Sequence, residues 1–423
     1  MLSILSKINQ SMKIAFLVIR NKLSANNVAE FIDAIKKYSV NEIREINPNS
    51  KGYFEFDLNN YDCICLHYSV LAFPMRVMRP FSESFRLGLK KFTGVKVAFV
   101  QDEQRAILDR IDFLNLIGLD HLFSPSPKGN LHLLYPPKDC SFNTSSIMTS
   151  YVVPNRDMKK INIRNRRKWD LFYRGRDLPN WLGESAIRKR EFGVNLVKNL
   201  NTAKLKHNMS SSESLRIYGK YWYHFLYLSK SSLLTPSGTT IIDMDGRYLE
   251  KWVKPEMPKL HNCEPLELDN RMISPKIFEY AEWGSLIVSD HRIQIDKFIA
   301  DHHYFLIDED YSNITSLINI LNDDTVRFRM TEAARERLIN NKDFSYEILS
   351  EHFDKIISDH LKSIEVDFPQ YSNQSNIEFA TLSLKLVFLI KLIPNNLINV
   401  IIWLVNNCIR SINFVVRLVG HSK

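Results

Sequence analysis

Short apolar runs alternate with amphipathic stretches along the first third of the chain. The runs have the length and composition of buried strands, and the stretches between them repeat their apolar residues with the period of a helix. The predicted elements are the strands Lys13–Arg20, Tyr61–Tyr68, Val95–Val100, Leu119–Ser124 and Met148–Val153, and the helices Asn26–Tyr38 and Pro80–Phe92. Strands and helices that alternate in this way form a parallel sheet with helices on both faces. We therefore predict an α/β domain over residues 13–154, preceded by an extension over residues 1–12.

A second series of the same kind follows a polar, basic stretch without apolar periodicity, which we interpret as a linker over residues 155–168. The predicted elements are the strands Trp169–Arg174, Leu215–Tyr218, Ser232–Pro236, Leu286–Val288 and Tyr304–Ile307, the helices Gly183–Leu200 and Trp222–Lys230, a helix between Pro275 and Gly284, and a largely helical segment Thr325–Leu361. The series predicts a second Rossmann-like domain over residues 169–362, so that two such domains face a cleft.

The last part of the chain has a different character. After a second predicted linker over residues 363–379, the segment 380–423 is apolar, contains Lys and Arg, and has no Asp or Glu. Pro394 divides it into two helices, and polar residues at helical spacing draw a stripe along the second one. This pattern favours amphipathic helices lying on an anionic membrane surface. A helix that binds a partner protein and a spanning or re-entrant hairpin are the alternatives.

Composition narrows the class of protein. A chain of 423 residues with 45% hydrophobic and 24% charged residues is globular and long enough for two domains and an appendage. The net charge of +9 is spread through segments of mixed sign, without a zinc-finger or RNA-binding signature, so we expect no nucleic-acid partner. Five cysteines without a CxxC pair and the lack of a visible secretory signal predict a cytoplasmic protein.

The segment 274–290 carries the most informative local pattern. It predicts a helix that starts at Pro275, a glycine turn at Gly284 and a buried parallel strand. Lys276 and Glu279 lie three residues apart and are therefore neighbours on the helix surface. Glu279 is placed to accept hydrogen bonds from ribose hydroxyls, while Lys276 and the helix start after Ser274 face a phosphate. The alternative is an ordinary amphipathic helix whose Glu279 is merely solvated.

On these residues the chain resembles bacterial GT-B glycosyltransferases of the group 1 type, in particular their spore-maturation-like and exostosin-like branch. The resemblance covers about residues 13–360. Its carriers are Ser274–Glu279 with Gly284, Tyr227–Ser231, Thr235–Gly238, Ala333–Arg337 and Phe99–Glu103. It implies an α/β GT-B architecture, a nucleotide-diphosphate sugar bound mostly by the second domain, and an acceptor bound mostly by the first. Lys276 agrees with the exostosin-like branch, whereas Arg271 stands where the commonest family pattern has a glutamate that contacts the donor sugar.

Three further residues are candidates for donor binding. Arg174 and Gly175 follow a predicted strand, at the edge where open α/β sheets bind ligands, and Arg188 lies on the next helix. Arginines aimed at the departing diphosphate stabilise its charge in the transition state, and glycine lets the backbone approach a phosphate. The alternative is that both arginines are ordinary surface charges.

The general base is sought at strand ends of the first domain. His67 ends a strand and titrates near neutrality, and Asp102 and Glu103 follow another strand. Each has a structural alternative, a core histidine or helix-capping acids. Asp243 and Asp245 have the spacing of a metal-binding pair but read equally well as a turn, and we expect a metal-independent enzyme without a cofactor.

These features together predict a hexosyltransferase-type enzyme, peripheral on the inner face of the cytoplasmic membrane. It transfers a sugar from a nucleotide-diphosphate sugar to a lipid-linked, lipopolysaccharide or capsule glycan. A nucleotide-sugar epimerase or hydrolase on the same fold is one alternative. A non-catalytic membrane scaffold, favoured by Arg271, is the other.

Overall fold

A computed structural model of the chain describes residues 11–20, 26–71, 80–153, 167–200, 205–249 and 263–366. The predicted amphipathic helices over 380–423 lie outside these residues, as do most of the predicted N-terminal extension and of the linker over 155–168. Within the described ranges, no helix combines the length and the apolarity needed to cross a bilayer.

The first half of the chain forms a six-stranded parallel sheet with the strand order β2-β1-β3-β4-β5-β6. Its strands are β1 (Lys13–Leu17), β2 (Glu42–Ile46), β3 (Cys63–Leu66), β4 (Val95–Phe99), β5 (His121–Ser124) and β6 (Asn143–Ser146). The central strands β3 and β4 are buried along their whole length, because helices cover both faces of the sheet.

The second half forms a five-stranded parallel sheet with the order β13-β12-β9-β7-β8. Its strands are β7 (Trp169–Arg174), β8 (His207–Ser210), β9 (Ser229–Leu234), β12 (Leu286–Ser289) and β13 (Phe305–Leu306). In both sheets the order reverses beside the first strand, which is the topology of a doubly wound Rossmann-like domain. Two such domains in series give the GT-B architecture, so the fold class expected from the sequence is confirmed.

Ten helices accompany the strands in the described part of the chain, and the last three of them follow the final strand. They are α1 (Asn26–Tyr38), α2 (Glu83–Lys91), α3 (Ile107–Ile117), α4 (Leu131–Leu134), α5 (Glu184–Asn199), α6 (Lys220–Tyr227), α7 (Lys276–Glu282), α8 (Ile314–Asn322), α9 (Asp324–Leu338) and α10 (Tyr346–Val366). Helix α10 packs its apolar side chains, among them Tyr346 and Phe353, into the core of the first sheet beside Phe99 and Phe123. The chain thus returns to the first domain, although the sequence places residues up to 362 in the second.

Two predicted strands are wrong. The strand expected over Leu215–Tyr218 is a loop, and the strand of this region is β8, eight residues earlier. The strand expected over Met148–Val153 is replaced by β6, and only an isolated bridge from Val152 to Ser345 remains there. Both true strands are polar edge strands, so they lack the apolar run by which buried strands are recognised.

An antiparallel hairpin of β10 (Ser237–Ile242) and β11 (Leu266–Met272) joins the two domains. Ile242 belongs to a buried cluster of the first domain, and Asn270 donates a hydrogen bond to the Ser126 hydroxyl there (3.0 Å). On the other side, Gly238 accepts a hydrogen bond from Lys189 of α5 (3.3 Å). The hairpin therefore fixes the second domain against the first, directly before the helix that carries the predicted donor site.

Candidate functional site

A pocket opens at the carboxyl edge of the second sheet, beside the point where its strand order reverses. Its walls are the turn after β7, the loop after β8 with the first turn of α6, and the start of α7. The lining residues are Arg174, Gly175, Arg176, Arg216, Ile217, Tyr218, Gly219, Trp222, Pro275, Lys276 and Glu279. Ligands of open α/β sheets bind in this crevice. The pocket brings together four of the six predicted donor-binding residues: Arg174, Gly175, Lys276 and Glu279.

Lys276 begins helix α7 and points its ammonium group across the pocket. The Nζ atom donates to the Arg174 carbonyl oxygen (2.5 Å) and lies over the Trp222 ring, 5.6 Å from its centroid. Burial lowers the pKa of Lys276 to about 8, and the nearby cations Lys189, Arg216 and Arg176 add to this shift against the attraction of Glu279. The side chain is a cation that a bound anion would stabilise.

Glu279 lies one turn further along α7. Its Oε2 atom accepts a hydrogen bond from the indole Nε1 of Trp222 (2.9 Å). Trp222 itself is only 7% exposed. Burial raises the pKa of Glu279 to about 7, although the Trp222 hydrogen bond favours the ionised form. The carboxyl group is therefore oriented by one donor and able to accept further hydrogen bonds from a ligand.

Lys189 adds another cation to this cleft. It lies half-buried on α5, and burial lowers its pKa to about 8, with Asp102 of the first domain opposing the shift and Arg176 adding to it. Arg176 acts on the pKa of Lys276 as well. Lys189 and Arg176 are thus close enough to Lys276 to lower its pKa, and the three cations give this region the positive charge that suits a diphosphate.

Arg174 does not aim its guanidinium into the pocket as predicted. It donates to the carbonyl oxygens of Leu215 (3.0 Å), Tyr173 (2.8 Å) and Asn208 (3.0 Å) and to the Asn208 side chain (2.7 Å). These bonds hold the loop after β8, which forms one wall of the pocket. Arg174 is therefore a positioning residue, and its own carbonyl group holds Lys276.

Gly175 is required by packing. A Cβ atom at this position would lie 2.4 Å from the Lys189 carbonyl oxygen and 2.5 Å from the Ser211 hydroxyl. The glycine thus lets the turn after β7 touch helix α5, whereas the sequence predicts backbone approach to a phosphate.

Gly175→Ala is expected to destabilise the protein by about 2 kcal/mol, because the backbone must shift to relieve these contacts. The matched control is Gly129→Ala, whose Cβ would meet nothing within 4 Å. Urea unfolding of both variants checks this, and equal stabilities would contradict the packing role of Gly175.

Arg188 and Ser274 have other partners than those predicted. Arg188 donates to the Asp290 carboxylate (3.3 Å) and carbonyl oxygen (3.2 Å), away from the pocket-lining residues. Ser274 is buried, and its carbonyl oxygen accepts the first turn's hydrogen bond from Ile277 (3.1 Å). On α5 the neighbouring Lys189, and not Arg188, lies within electrostatic reach of Lys276.

The two acids after β4 have different environments. Glu103 is completely buried and accepts hydrogen bonds from the hydroxyls of Ser124 (2.7 Å), Ser126 (2.7 Å) and Tyr135 (2.6 Å). Asp102 is exposed and lies within electrostatic reach of Lys189 across the cleft. Glu103 therefore anchors the segment, and of the two acids only Asp102 is open to a substrate.

Glu103→Gln is expected to destabilise the protein by about 2 kcal/mol, since one amide oxygen cannot accept from three hydroxyl groups and buried donors are left unpaired. Asp102→Asn, next to it but exposed, should leave the stability unchanged. Chemical denaturation of the two variants gives the comparison. A stable Glu103→Gln protein would show that the network does not hold the segment.

His67 lies in the core rather than in the cleft. Its ring packs against Phe16 and Phe31, and Nδ1 accepts a hydrogen bond from the Ser69 backbone N–H (3.1 Å). Burial lowers the pKa of His67 to about 3, so the ring is neutral. This is the structural alternative considered for a lone histidine at a strand end.

Asp243 and Asp245 shape a turn. The Asp243 carboxylate accepts from the backbone N–H groups of Gly246 (3.0 Å), Arg247 (3.1 Å) and Tyr248 (3.2 Å). Asp245 pairs with the Arg247 side chain (3.2 Å). Among the described residues no group of three or more His, Cys, Asp or Glu side chains is placed to hold a metal ion.

The sequence analysis missed Arg176, Lys189 and Trp222. Arg176 follows Gly175 directly and could have been found from its position at a strand end. Lys189 follows Arg188 on α5 and differs from it in the direction in which it leaves the helix. Trp222 is 57 residues away in sequence from the carboxylate that it orients. No local pattern signals those two residues.

No family model matches the sequence, and no curated protein matches it. Among solved structures, the chain is similar to a DNA-modifying β-glucosyltransferase (13% identity, 82% of this chain and 99% of that chain, TM-score 0.49). It is also similar to HepE of Anabaena in complex with UDP-glucose (10%, 83% and 100%, TM-score 0.43). A third is sucrose-phosphate synthase of Thermosynechococcus elongatus (10%, 83% and 100%, TM-score 0.45). Values at this level assign no family and no substrate, and the GT-B fold is assigned from the topology of the two sheets.

Proposed function

We propose that the protein is a glycosyltransferase that uses a nucleotide-diphosphate sugar as donor. The observation that carries the proposal is the pair Lys276 and Glu279 at the start of α7, in a pocket at the carboxyl edge of the second sheet that Arg176 also lines. Glu279 is oriented by Trp222 to accept hydrogen bonds from ribose hydroxyls. Lys276, Lys189 and Arg176 then lie where the diphosphate follows the ribose.

The charges suit transfer of a glycosyl group. The bond between the anomeric carbon and the diphosphate oxygen breaks, and the electron pair leaves with the diphosphate, where fixed cations stabilise it. A bond forms between the anomeric carbon and an acceptor hydroxyl oxygen. The hydroxyl proton passes to a base on the acceptor side, for which Asp102 is the candidate, because it is exposed and lies within electrostatic reach of Lys189.

The acceptor and the location of the reaction that we propose are based on the sequence alone. The basic, apolar segment 380–423 supports binding to an anionic membrane surface and action on a lipid-linked, lipopolysaccharide or capsule glycan at the inner face of the cytoplasmic membrane. Three cations in the cleft can neutralise a diphosphate, so we propose a reaction without a metal ion. The exostosin-like branch remains part of this proposal through Lys276.

The test uses UDP-, GDP-, TDP- and CMP-linked sugars with and without a membrane lipid extract. Release of free nucleotide is measured for the full chain, for Lys276→Gln and for a control, Lys198→Gln, which removes an exposed charge at the far end of α5. We expect extract-dependent release from one donor, a loss in Lys276→Gln of about 100-fold, as for a phosphate contact removed in the transition state, and full activity in the control.

Other outcomes separate the alternatives. Release without extract would favour a nucleotide-sugar hydrolase, and conversion of a donor into its epimer without release of nucleotide would favour an epimerase. If no donor is turned over and none raises the melting temperature, the enzymatic proposal fails and the non-catalytic scaffold is favoured.

A further inference from the structure

Arg105 of the first domain lies at the cleft beside this site. It belongs to the segment between β4 and α3, and its backbone pairs with Asp243 of the hairpin, whose N–H donates to the Gln104 carbonyl oxygen (3.0 Å). On the other side of Arg105, the buried Glu103 network holds the same segment. The position of Arg105 is therefore fixed from both domains.

The residue after Arg105 has a strained backbone. Ala106 is buried and left-handed, with φ 47° and ψ 51°, a conformation that costs a non-glycine residue about 1 kcal/mol or more. Such strain persists only where the surroundings enforce it, and it is concentrated at ligand-binding sites. The strained backbone at Ala106 therefore indicates that the surroundings hold the segment with Arg105 in one fixed conformation.

The guanidinium of Arg105 has an aromatic partner but no hydrogen-bonding one among the described residues. It lies over the Trp181 ring, 5.7 Å from the centroid, and Trp181 stacks on Tyr248 with the ring centroids 4.8 Å apart. The Nε atom is buried without a hydrogen-bond partner. An arginine held by its face keeps its in-plane donors available, and these match the oxygens of a phosphate in a bidentate way.

Arg105 belongs to the first domain and its guanidinium reaches Trp181 of the second, so it lies where the two domains meet. Burial lowers the pKa of Arg105, Asp102 and Asp243 oppose the shift, and Arg176 adds to it. Arg176 also acts on Lys276, so it lies within electrostatic reach of both residues. Lys276 and Arg105 are thus both within electrostatic reach of Arg176, and the candidate base Asp102 is within reach of Arg105.

We propose that Arg105 binds an oxyanion of the acceptor, so that the acceptor is a sugar that carries a phosphate group near the hydroxyl that is glycosylated. This inference rests on the proposed function, because it takes the pocket at α7 as the donor site. Trp181 supports the guanidinium from the second domain, and Asp102, three residues before Arg105, faces the same part of the cleft. Phosphate recognition and the candidate base are therefore carried by one rigid segment.

The test measures a second anion site directly. The full chain is saturated with the nucleoside diphosphate that it binds best and is then titrated with inorganic phosphate and with N-acetylglucosamine 1-phosphate by calorimetry. We expect both to bind the nucleotide complex. Arg105→Gln should weaken this binding by about tenfold or more, as for the loss of a charge-assisted bidentate contact, and should change the affinity for the nucleotide less than twofold.

Two variants sharpen the comparison. Arg105→Lys keeps the charge but not the planar fork, so it should bind the phosphate with intermediate affinity. Arg44→Gln removes an exposed arginine of the first domain that pairs with Glu42 (2.7 Å), and it should behave as the wild type, which excludes a general effect of charge. Thermal melting of each variant confirms that it is folded.

Two results would overturn the inference. If the nucleotide complex binds neither phosphate probe, no acceptor anion site exists. If Arg105→Gln lowers the affinity for the nucleotide itself by tenfold, the guanidinium binds the diphosphate of the donor. Failure of the proposed function is a different result, in which no nucleotide binds at all.

Discussion

Replacing Arg167 with alanine should destabilise the second domain more than any other single substitution considered for this protein. The guanidinium donates to five carbonyl oxygens, which belong to Leu226, Tyr227, Ser229, Trp283 and Gly284. Four of them lie at the carboxyl ends of α6 and α7, where helices leave carbonyl groups unpaired and carry partial negative charge. We expect a loss of about 4 kcal/mol, given that hydrogen bonds to a charged group contribute about 1.5–3 kcal/mol each and are not additive.

Urea unfolding and thermal melting of Arg167→Ala measure this effect, with a fall in melting temperature of about 8 °C. Arg167→Lys keeps the charge but reaches fewer carbonyl groups, so its loss should be about half as large. Lys168→Ala is the control, since this neighbouring side chain is exposed, and its stability should stay within about 0.5 kcal/mol of the wild type. Equal stability of Arg167→Ala and Lys168→Ala would show that the hydrogen bonds of Arg167 do not stabilise the domain.

The hydrogen bonds of Arg167 also connect the stability of the second domain to the candidate donor site. Helix α6 provides Trp222, and helix α7 provides Lys276 and Glu279, so Arg167 holds the carboxyl ends of both helices together. The sequence analysis assigns this arginine to a linker, because the run of basic residues around it has no apolar periodicity. A buried cation that binds only backbone carbonyl groups leaves no local signal.

The fold was predictable where burial is complete. Strands β3, β4 and β12 lie in the middle of their sheets and are buried along their length, so their sequences show the apolar run that the prediction uses. Strand β2 at the edge of the first sheet has the sequence Glu-Ile-Arg-Glu-Ile and was missed, since its side chains are only partly buried. Edge strands are specified by backbone pairing with a neighbour, which local composition does not reveal.

The site was predictable where its geometry is local. Lys276 and Glu279 are three residues apart on one helix, so their proximity follows from the helix itself. Arg188 and Lys189 are adjacent residues separated by about 100° around α5, and only the packing of the helix decides which of them faces the cleft. The role predicted for His67 was not predictable for a related reason, because a strand end can lie in the core or in the cleft. The ring is in fact buried against Phe16 and Phe31.

The affinity for a nucleotide sugar should pass through a maximum between about pH 7 and pH 8. Glu279, with its pKa raised to about 7, becomes the stronger, charge-assisted acceptor for both ribose hydroxyls when it ionises, so the affinity rises as the pH passes 7. Lys276, with its pKa lowered to about 8, loses its charge above that pH, and the affinity for the diphosphate falls. A nucleotide sugar is the right probe, since a terminal phosphate would itself titrate near pH 6.

Glu279→Gln tests the acidic side of this profile. At pH 7.5 the variant should bind the nucleotide sugar about 100-fold more weakly, which corresponds to about 2.7 kcal/mol and to the loss of charge-assisted hydrogen bonds to two hydroxyls. The rise of affinity through pH 7 should disappear, while the alkaline fall should remain and move to lower pH, because Glu279 no longer supports the charge of Lys276. Isothermal titration calorimetry between pH 5.5 and 9.5 measures both limbs.

Trp222→Phe tests whether the hydrogen bond from Trp222 influences the ionisation of Glu279. The substitution keeps an aromatic ring beneath Lys276 but removes the indole N–H that donates to Glu279 (2.9 Å). That hydrogen bond favours the ionised carboxylate, so its loss should raise the pKa of Glu279 further and move the acidic limb to higher pH. A limb that stays in place in Trp222→Phe and also in Glu279→Gln would show that another group causes it, and Glu279 would then not be the ribose-binding residue.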